Sequence, residues 1–426
     1  MRVAGALLVL TALSVTLRTG ALDAGYWIDE AIAVGIASHD PGEIPGLLRQ
    51  DGSPPLYYLL LHGWMTLVGD GEAATRALSL LFAAVAVPAA WWSGGRWAAA
   101  IVAVCPFLAY YAQEARMYTL VAVLSLVATA AFVQRRPVIL VVALTLLLYT
   151  HTWGVFLLAG FAVVALRRGG LGPLALVAAL YLPWMPSLVS QAAHTGAPWS
   201  VPPSVLYLVP AAAVVAWRPR DELVLAGAAG LTLAWLASQL EPAWSPRYLF
   251  VLFGPVLLVL ARRPAWAVAP LLAALVLVGP VAAKSNARAV AVSVAQSVRP
   301  GDLVVVTQPE QVPVLHRYLP AGVEYLTPLG HPADPSLTDG RDALPRLRRA
   351  RAERVLLPEL VPGRRVVLVM PVYRRPRSPW ARAVRRRTRE WRAVLRAELR
   401  PLGATSRPDP AQFRSTVRAE IFEVLR

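Results

Sequence analysis

The sequence predicts a polytopic α-helical membrane protein with an α/β domain at its C-terminal end. Hydrophobic residues make up 57% of the 426, and apolar runs recur from residue 3 to about residue 282 and then stop. Charge is divided at the same place. Residues 284–426 hold 27 of the 42 basic and 13 of the 25 acidic residues, a local balance of +14 within a total of +17. We therefore expect a transmembrane domain over 1–283 and a basic soluble domain over 284–426.

The first run, MRVAGALLVLTALSVTLRT (1–19), reads as a retained transmembrane helix rather than a cleaved signal peptide. Many further runs follow it, and the ALDAGYW that ends it is a poor cleavage site. Short arginine-rich loops stay cytoplasmic, and here they are SGGRW (93–97), QRRP (134–137), RRGG (167–170), WRPRDE (217–222) and ARRP (261–264). Placing them inside predicts spans at 3–19, 73–92, 97–111, 117–133, 137–150, 154–166, 171–186, 204–217, 222–240, 247–260 and 265–282. That is about eleven, with the C-terminal domain extracytoplasmic. The chain must then be outside at residue 73 after a single crossing. PPLYYLLLHGWMTLVG (54–69) is accordingly an interfacial or re-entrant helix, and residues 20–72 form one long outer loop.

The C-terminal domain has the alternation of short apolar segments that α/β folds show. GDLVVVT (301–307) and RVVLVMPV (365–372) are expected strands, with VEYLTP (323–328), ERVLLPEL (353–360) and RAEIFEVL (418–425) as candidates. Residues 378–403 form a helix with Ser378 as N-cap, Pro379 in its first turn and Gly403 as stop. The chain carries no GxGxxG or GxxxxGK[ST] sequence, so no nucleotide site is expected. The basic balance lacks the aromatic interleaving of a nucleic-acid surface and points to membrane lipids instead. Cys105 is the only cysteine, which excludes an intrachain disulfide and CxxC metal sites, and the six histidines form no HxH or HxxxH pair.

Ten of the twelve acids before residue 284 fall in the outer loops, and three clusters stand out. In YWIDEA, Asp29 and Glu30 lie beside a membrane surface, where partial desolvation makes a carboxylate a stronger base. The alternative is a helix start, with Asp29 capping and Glu30 in the first turn. In QEARMY, Glu114, Arg116 and Tyr118 sit at the mouth of a span, Arg116 offering a forked donor suited to phosphate or a partner for an interfacial salt bridge. In SPRYLF, Arg247 and Tyr248 place a cation on the outer side, where it meets a lipid headgroup or a substrate phosphate. His151 in YTHTWG is a further candidate or a structural hydrogen-bonder.

Together YWIDEA, DGSPPLYYLLLHGWMTLVGDGEAATRALS, YYAQEARMYTL and SPRYLFVLFGP resemble the GT-C superfamily of integral-membrane glycosyltransferases. Within it they are closest to the protein O-mannosyltransferase-like and aminoarabinose-transferase-like enzymes of bacteria. The resemblance covers roughly residues 1–280. It implies transfer of a sugar from a polyprenyl-phosphate donor to an acceptor hydroxyl of a cell-envelope glycan, lipid or protein on the outer face. By the same resemblance the acid of the first outer loop, general base or acceptor positioner, is Asp29 with Glu30 as its neighbour. Glu114, Arg116, Tyr118, Arg247 and Tyr248 line the donor site, and a Pro-Pro re-entrant segment follows the catalytic loop. Relatives often carry His or Lys at or before that Pro pair, whereas this chain has Asp51-Gly52-Ser53-Pro54-Pro55. Phosphate binding then rests more on Arg116, Arg247 or Arg49, and the departure puts in doubt the divalent metal that the family's pattern leaves possible. A single displacement inverts the anomeric centre, and one carboxylate with one or two arginines suffices for it.

Two other classes compete. A transporter or flippase predicts charges buried mid-span, yet the acids gather at one face. A scaffold without activity, built around the outer domain, predicts that Asp29, Glu114 and Arg247 lie far apart.

Overall fold

The computed structural model describes residues 2–263, 271, 274, 283–405, 408–409 and 412–424. The chain packs into two compact units, each assembled from separate stretches of sequence. The first comprises Met1–Leu22, Ser53–Val189 and Val201–Val281, the second Asp23–Gly52, Ser190–Ser200 and Ala282–Arg426. The first outer loop is therefore shared out, with 23–52 packed in the same unit as the C-terminal sheet. Except for two positions, the expected span 265–282 lies outside the described residues.

The first unit is helical. Among the described residues three helices are long and apolar enough to cross a membrane: Glu72–Ala103, Gly172–His194 and Glu222–Leu240. Shorter apolar helices include Val3–Thr16, Tyr118–Val133, Pro137–Thr150, Val205–Trp217 and Pro246–Leu260. The Pro-Pro segment forms Leu56–Val68, 13 residues or about 20 Å, short of the roughly 30 Å of a bilayer core. Three expected boundaries are corrected. The loop at 93–97 is a break within one helical stretch, made by Gly94 (φ −146°) and Gly95, whose φ of 73° suits a residue without a Cβ. The expected span 97–111 is interrupted before the short helix Pro106–Tyr111. The helix expected to end at 186 continues to His194 through a 3-10 segment at Leu182–Trp184.

Small residues bring these helices together. A Cβ on Gly160 would meet the Ala226 carbonyl oxygen at 2.2 Å, and one on Gly254 the Ser125 carbonyl oxygen at 2.4 Å. Such approaches replace the hydrophobic driving force that lipid cannot supply. Two buried arginines tie down the chain after the first helix. Arg18 donates to the carbonyls of Val102 (2.6 Å) and Ala103 (3.3 Å), filling acceptors that the end of Glu72–Ala103 leaves open. Arg76 donates to Leu22 (2.7 Å) and Ala21 (3.3 Å). At one end of the unit three arginine-rich loops meet. Arg168 pairs with Glu222 and donates to the Phe132 carbonyl at 3.1 Å, while Arg262 pairs with Asp221. The two acids assigned to a cytoplasmic loop thus serve as partners for arginines there.

The second unit is built on a five-stranded sheet, order β2-β1-β3-β5-β4. Its strands are β1 Leu303–Val306, β2 Glu324–Leu326, β3 Arg365–Pro371, β4 Arg400–Ala404 and β5 Val417–Glu423. β1 is parallel to both β2 and β3, and β5 is antiparallel to β3 and β4. One face is covered by the helix Pro379–Glu398, whose Trp391 and Leu395 pack with Val305, Leu368 and Phe422. Ser378 caps that helix, its hydroxyl accepting from the Ala381 N–H at 3.1 Å. Two expectations fail here. Residues 353–360 are not a strand: Ala352 and Leu356, four apart, are buried in a helical turn, and a 3-10 segment follows at Leu357–Glu359. Gly403 does not stop the long helix, which ends at Glu398, but lies in β4 beside a bulge at Pro401/Gly403.

The helix Ile28–Ala37 belongs to this unit and is buried over nearly its whole length. A Cβ on Gly35 would meet the Ser336 carbonyl oxygen at 2.0 Å. His39 Nε2 lies 2.9 Å from Asp334 Oδ2, and the Gly340 N–H donates to the Gln50 carbonyl at 3.0 Å.

Candidate active site

The candidate residues of the first unit converge where the segments 113–118, 151–153 and 244–250 meet. The Tyr118 ring is 4.8 Å from Tyr111 and 6.1 Å from His151, and His151 is 4.9 Å from Tyr248, centroid to centroid. The Arg247 guanidinium stands 5.7 Å from the Tyr118 ring and 5.6 Å from Tyr248, within cation–π range. Arg116, 8% exposed, has its Nη1 3.3 Å from the Tyr58 hydroxyl, and its carbonyl accepts from the Ser79 hydroxyl at 3.0 Å. Tyr57 and Tyr58, in the segment expected to be interfacial or re-entrant, are fully buried, and Tyr57 meets Ser79 at 3.3 Å. The Pro-Pro segment thus delivers two tyrosines to the wall behind Arg116. Glu114 is fully buried in the turn, its carbonyl accepting from the Arg116 N–H at 2.7 Å.

His151 reports the field inside this cluster. Burial first, then the positive charges of Arg116 and Arg247, lower its pKa to about 3. It is neutral at any working pH. Its Nδ1 accepts from the Trp153 N–H at 3.2 Å, so the ring proton sits on Nε2. Two guanidiniums thus act on one neutral imidazole among tyrosines, and a guanidinium is the forked donor that suits a phosphate ester.

The remaining candidates lie in the second unit. The helix bearing Asp29 begins at Ile28 with Trp27 as N-cap, and Glu30 Oε2 accepts the Trp27 N–H at 3.4 Å. The cap assigned to Asp29 is therefore corrected: Glu30, fully buried, performs it, and Asp29 sits partly buried in the first turn. Asp51 is the last residue of Ile44–Asp51, before Gly52 at φ 95°. Arg49 is exposed on the same helix. Just before the helix bearing Asp29, the Arg414 guanidinium lies 4.5 Å from the Trp27 ring and that of Arg317 5.3 Å from Tyr26.

Sequence reasoning missed Glu310. It lies in the 3-10 segment Pro309–Gln311 that follows β1, and its Oε2 is shut off from solvent with no hydrogen bond among the described residues. Burial raises its pKa to about 7, with the Asp29 charge adding to the rise and Trp380 and Gln308 offsetting part of it. An acid just after a strand was visible in GDLVVVTQPEQ, but nothing in that string told of a distant carboxylate beside it. Among the described residues no three His, Cys, Asp or Glu side chains are grouped as metal ligands.

No family model matches the chain, and no curated protein matches it in sequence. Solved structures match its fold along nearly the whole length. ArnT from Cupriavidus metallidurans bound to undecaprenyl phosphate matches with a TM-score of 0.58 at 13% identity, covering 97% of this chain and 98% of that one. The apo state of the same protein matches with a TM-score of 0.57 at 13% identity, covering 98% of each chain. At that identity the likeness is one of fold. It is the fold of those two structures that this chain shares.

Proposed function

We propose that the chain is a membrane glycosyltransferase that moves a sugar from a polyprenyl-phosphate donor to an acceptor hydroxyl at the outer face of the cell membrane. The observation that carries this reading is the convergence of Arg116 and Arg247 around a neutral His151, in a chain folded like a protein solved with undecaprenyl phosphate. Arg116 and Arg247 hold the donor phosphate and stabilise the charge that grows on it as the glycosidic bond breaks. Asp29 takes the acceptor proton, and Glu30 fixes the helix turn that presents it. The acceptor oxygen attacks the anomeric carbon opposite the phosphate, so one displacement inverts the centre. His151, held neutral, adds a hydrogen-bond donor without adding charge. The fold and the acid-first, arginine-later order of motifs both support this assignment over a transporter.

The test is sugar transfer by the purified protein from undecaprenyl-phosphate-linked sugars, alongside the Asp29→Asn variant. Loss of a general base should lower turnover by about 10²–10⁴-fold with donor binding retained. Full turnover by Asp29→Asn would remove Asp29 from the chemistry. Movement of the lipid across the bilayer without transfer of sugar would sink the enzyme reading.

A further inference from the structure

RRPRSPWARAVRRRTR (374–389) sets eight arginines in sixteen residues, with no acid among them. The structure puts most of this string on the helix Pro379–Glu398 and sorts its charges. Trp380, Val384, Arg387, Trp391 and Leu395 are buried, while Arg382, Arg385, Arg386 and Arg389 are exposed. At about 3.6 residues per turn, the four exposed arginines fall within roughly a third of the helix surface, opposite the buried face.

Arg387 has a different task. It donates to the carbonyls of Leu347 (3.0 Å) and Arg348 (2.6 Å) and pairs with Glu390. It thereby pins the segment bearing the exposed Arg348 and Arg349 beside the helix. Glu390 is committed to Arg387 and to the Ala352 N–H at 3.3 Å, and Glu420 to Arg392 and Arg396. Among the described residues no carboxylate pairs with Arg385, Arg386 or Arg389. Glu353 is the only acid between Arg348 and Arg354.

Left to itself, this arrangement destabilises the helix. Arg382 and Arg386, and Arg385 and Arg389, are like charges four residues apart, a spacing that sets cations side by side. Arg382 also closes the first turn, where the helix dipole favours an anion, and that turn holds no acid. A local rule broken without an internal compensation marks a functional surface, and a bound anion relieves both conflicts.

We infer that this face is a docking surface for a soluble polyanion, a polysaccharide carrying phosphate or carboxylate groups along its chain. The guanidinium fork suits either group, and a row of arginines about 10 Å long engages several of them at once. The apolar side of the helix is turned into the sheet, where Trp391 and Leu395 pack with Val305 and Phe422. A helix that lies on a bilayer keeps such a side for the acyl chains. Trp380 and Trp391 are both buried, so neither ring is offered to nucleic-acid bases for stacking. What the face presents is charge alone, which fits a hydrophilic chain of anions. The inference concerns binding and does not rest on sugar transfer.

The test uses the full-length protein in phosphatidylcholine nanodiscs, with fluorescein-labelled polygalacturonate followed by anisotropy. Wild type should bind this probe with an affinity that falls steeply between about 50 and 200 mM salt, as released counterions are driven back, and should ignore neutral dextran. Arg385→Gln/Arg386→Gln/Arg389→Gln should bind at least about tenfold more weakly. Relieved of like-charge repulsion, that variant should melt no lower than wild type. The lysine version of the triple variant, which keeps the charge, should stay within about threefold of wild type. Arg386→Gln alone, too mild to unfold the helix, should lower the slope of log affinity against log salt by up to about one. Arg299→Gln/Arg400→Gln, at two exposed positions elsewhere in the unit, should leave the affinity unchanged. A wild type that does not bind the probe, a triple variant that binds as tightly, or an equal loss in the Arg299 and Arg400 variant overturns the inference. Tighter binding to a thymidine oligonucleotide would assign the surface to nucleic acid instead. Cosedimentation with phosphatidylglycerol vesicles that the triple variant abolishes, with no binding of polygalacturonate, would assign it to a bilayer.

Discussion

Replacing Glu310 by Gln should make the protein more stable in neutral and alkaline solution, by an amount that depends on pH. The carboxyl has its pKa raised from 4.5 to about 7 in the fold, by burial first and by the Asp29 charge second. Between those values the folded chain binds more protons than the unfolded one, so stability falls as pH rises from 4.5 to about 7 and stays reduced above it. At about 1.36 kcal/mol per pH unit, the interval is worth at most about 3 kcal/mol, because the side chain keeps some contact with water. Glutamine cannot ionise and removes this loss. Thermal unfolding of the two proteins in the same detergent, from pH 4 to pH 9, reads the difference. The curves should run together at the acid end, separate through pH 5–7 and run parallel beyond, with the variant melting several degrees higher at pH 8. A wild type as stable as the variant at pH 8, or a gap that opens on the acid side, would refute the reasoning.

Further outcomes follow from the same geometry. Arg247→Met should raise the donor KM about 10–100-fold, as loss of a charge-assisted phosphate contact does, with the acceptor KM unchanged; an unaltered donor KM would take Arg247 out of the phosphate site. Because His151 titrates at about 3, turnover between pH 5 and 8 should carry no histidine ionisation, and a limb near pH 6.5 that disappears in His151→Gln would contradict this. Gly160→Val drives a side chain into the Ala226 carbonyl, 2.2 Å from where its Cβ must lie, and should lower thermal stability by about 1–3 kcal/mol; an unchanged melting point would show that the helices separate freely. Glu30→Ala removes the acceptor for the Trp27 N–H and should cost about 1 kcal/mol, with turnover falling further than stability since the Asp29 turn loosens.

The parts of this molecule that the sequence made legible are those governed by local rules. Arginines cluster in short loops because they are costly to move across a bilayer, and Arg168 and Arg262 are found at one end with Glu222 and Asp221. Ser378 and Pro379 start a helix because capping is decided within four residues. Where tertiary contact decides, the sequence was silent or misleading. The apolar spacing of ERVLLPEL suits a strand as well as a helix, and only burial on one side chooses. β4 was not foreseen, since Arg400–Ala404 is exposed throughout and contains Pro401 and Gly403, residues that mark turns more often than strands. Asp29 was singled out by its motif, but its neighbour Glu310 is far away in sequence and lies in a string, PEQ, typical of any loop. The capping role open to Asp29 went to Glu30 because the helix starts two residues earlier, with Trp27 as N-cap.

The interleaving of the two units bears on how the protein comes to exist. Residues 23–52 are among the first to be synthesised, while the helix Val312–His316 and the loop at Ser336 that pack on Ile28–Ala37 come from beyond residue 282. Through most of translation that helix therefore has an apolar surface and no protein to cover it. The same order makes residues 284–426 a poor candidate for expression alone, since they would lack the helix Ile28–Ala37 that lies buried in the same unit.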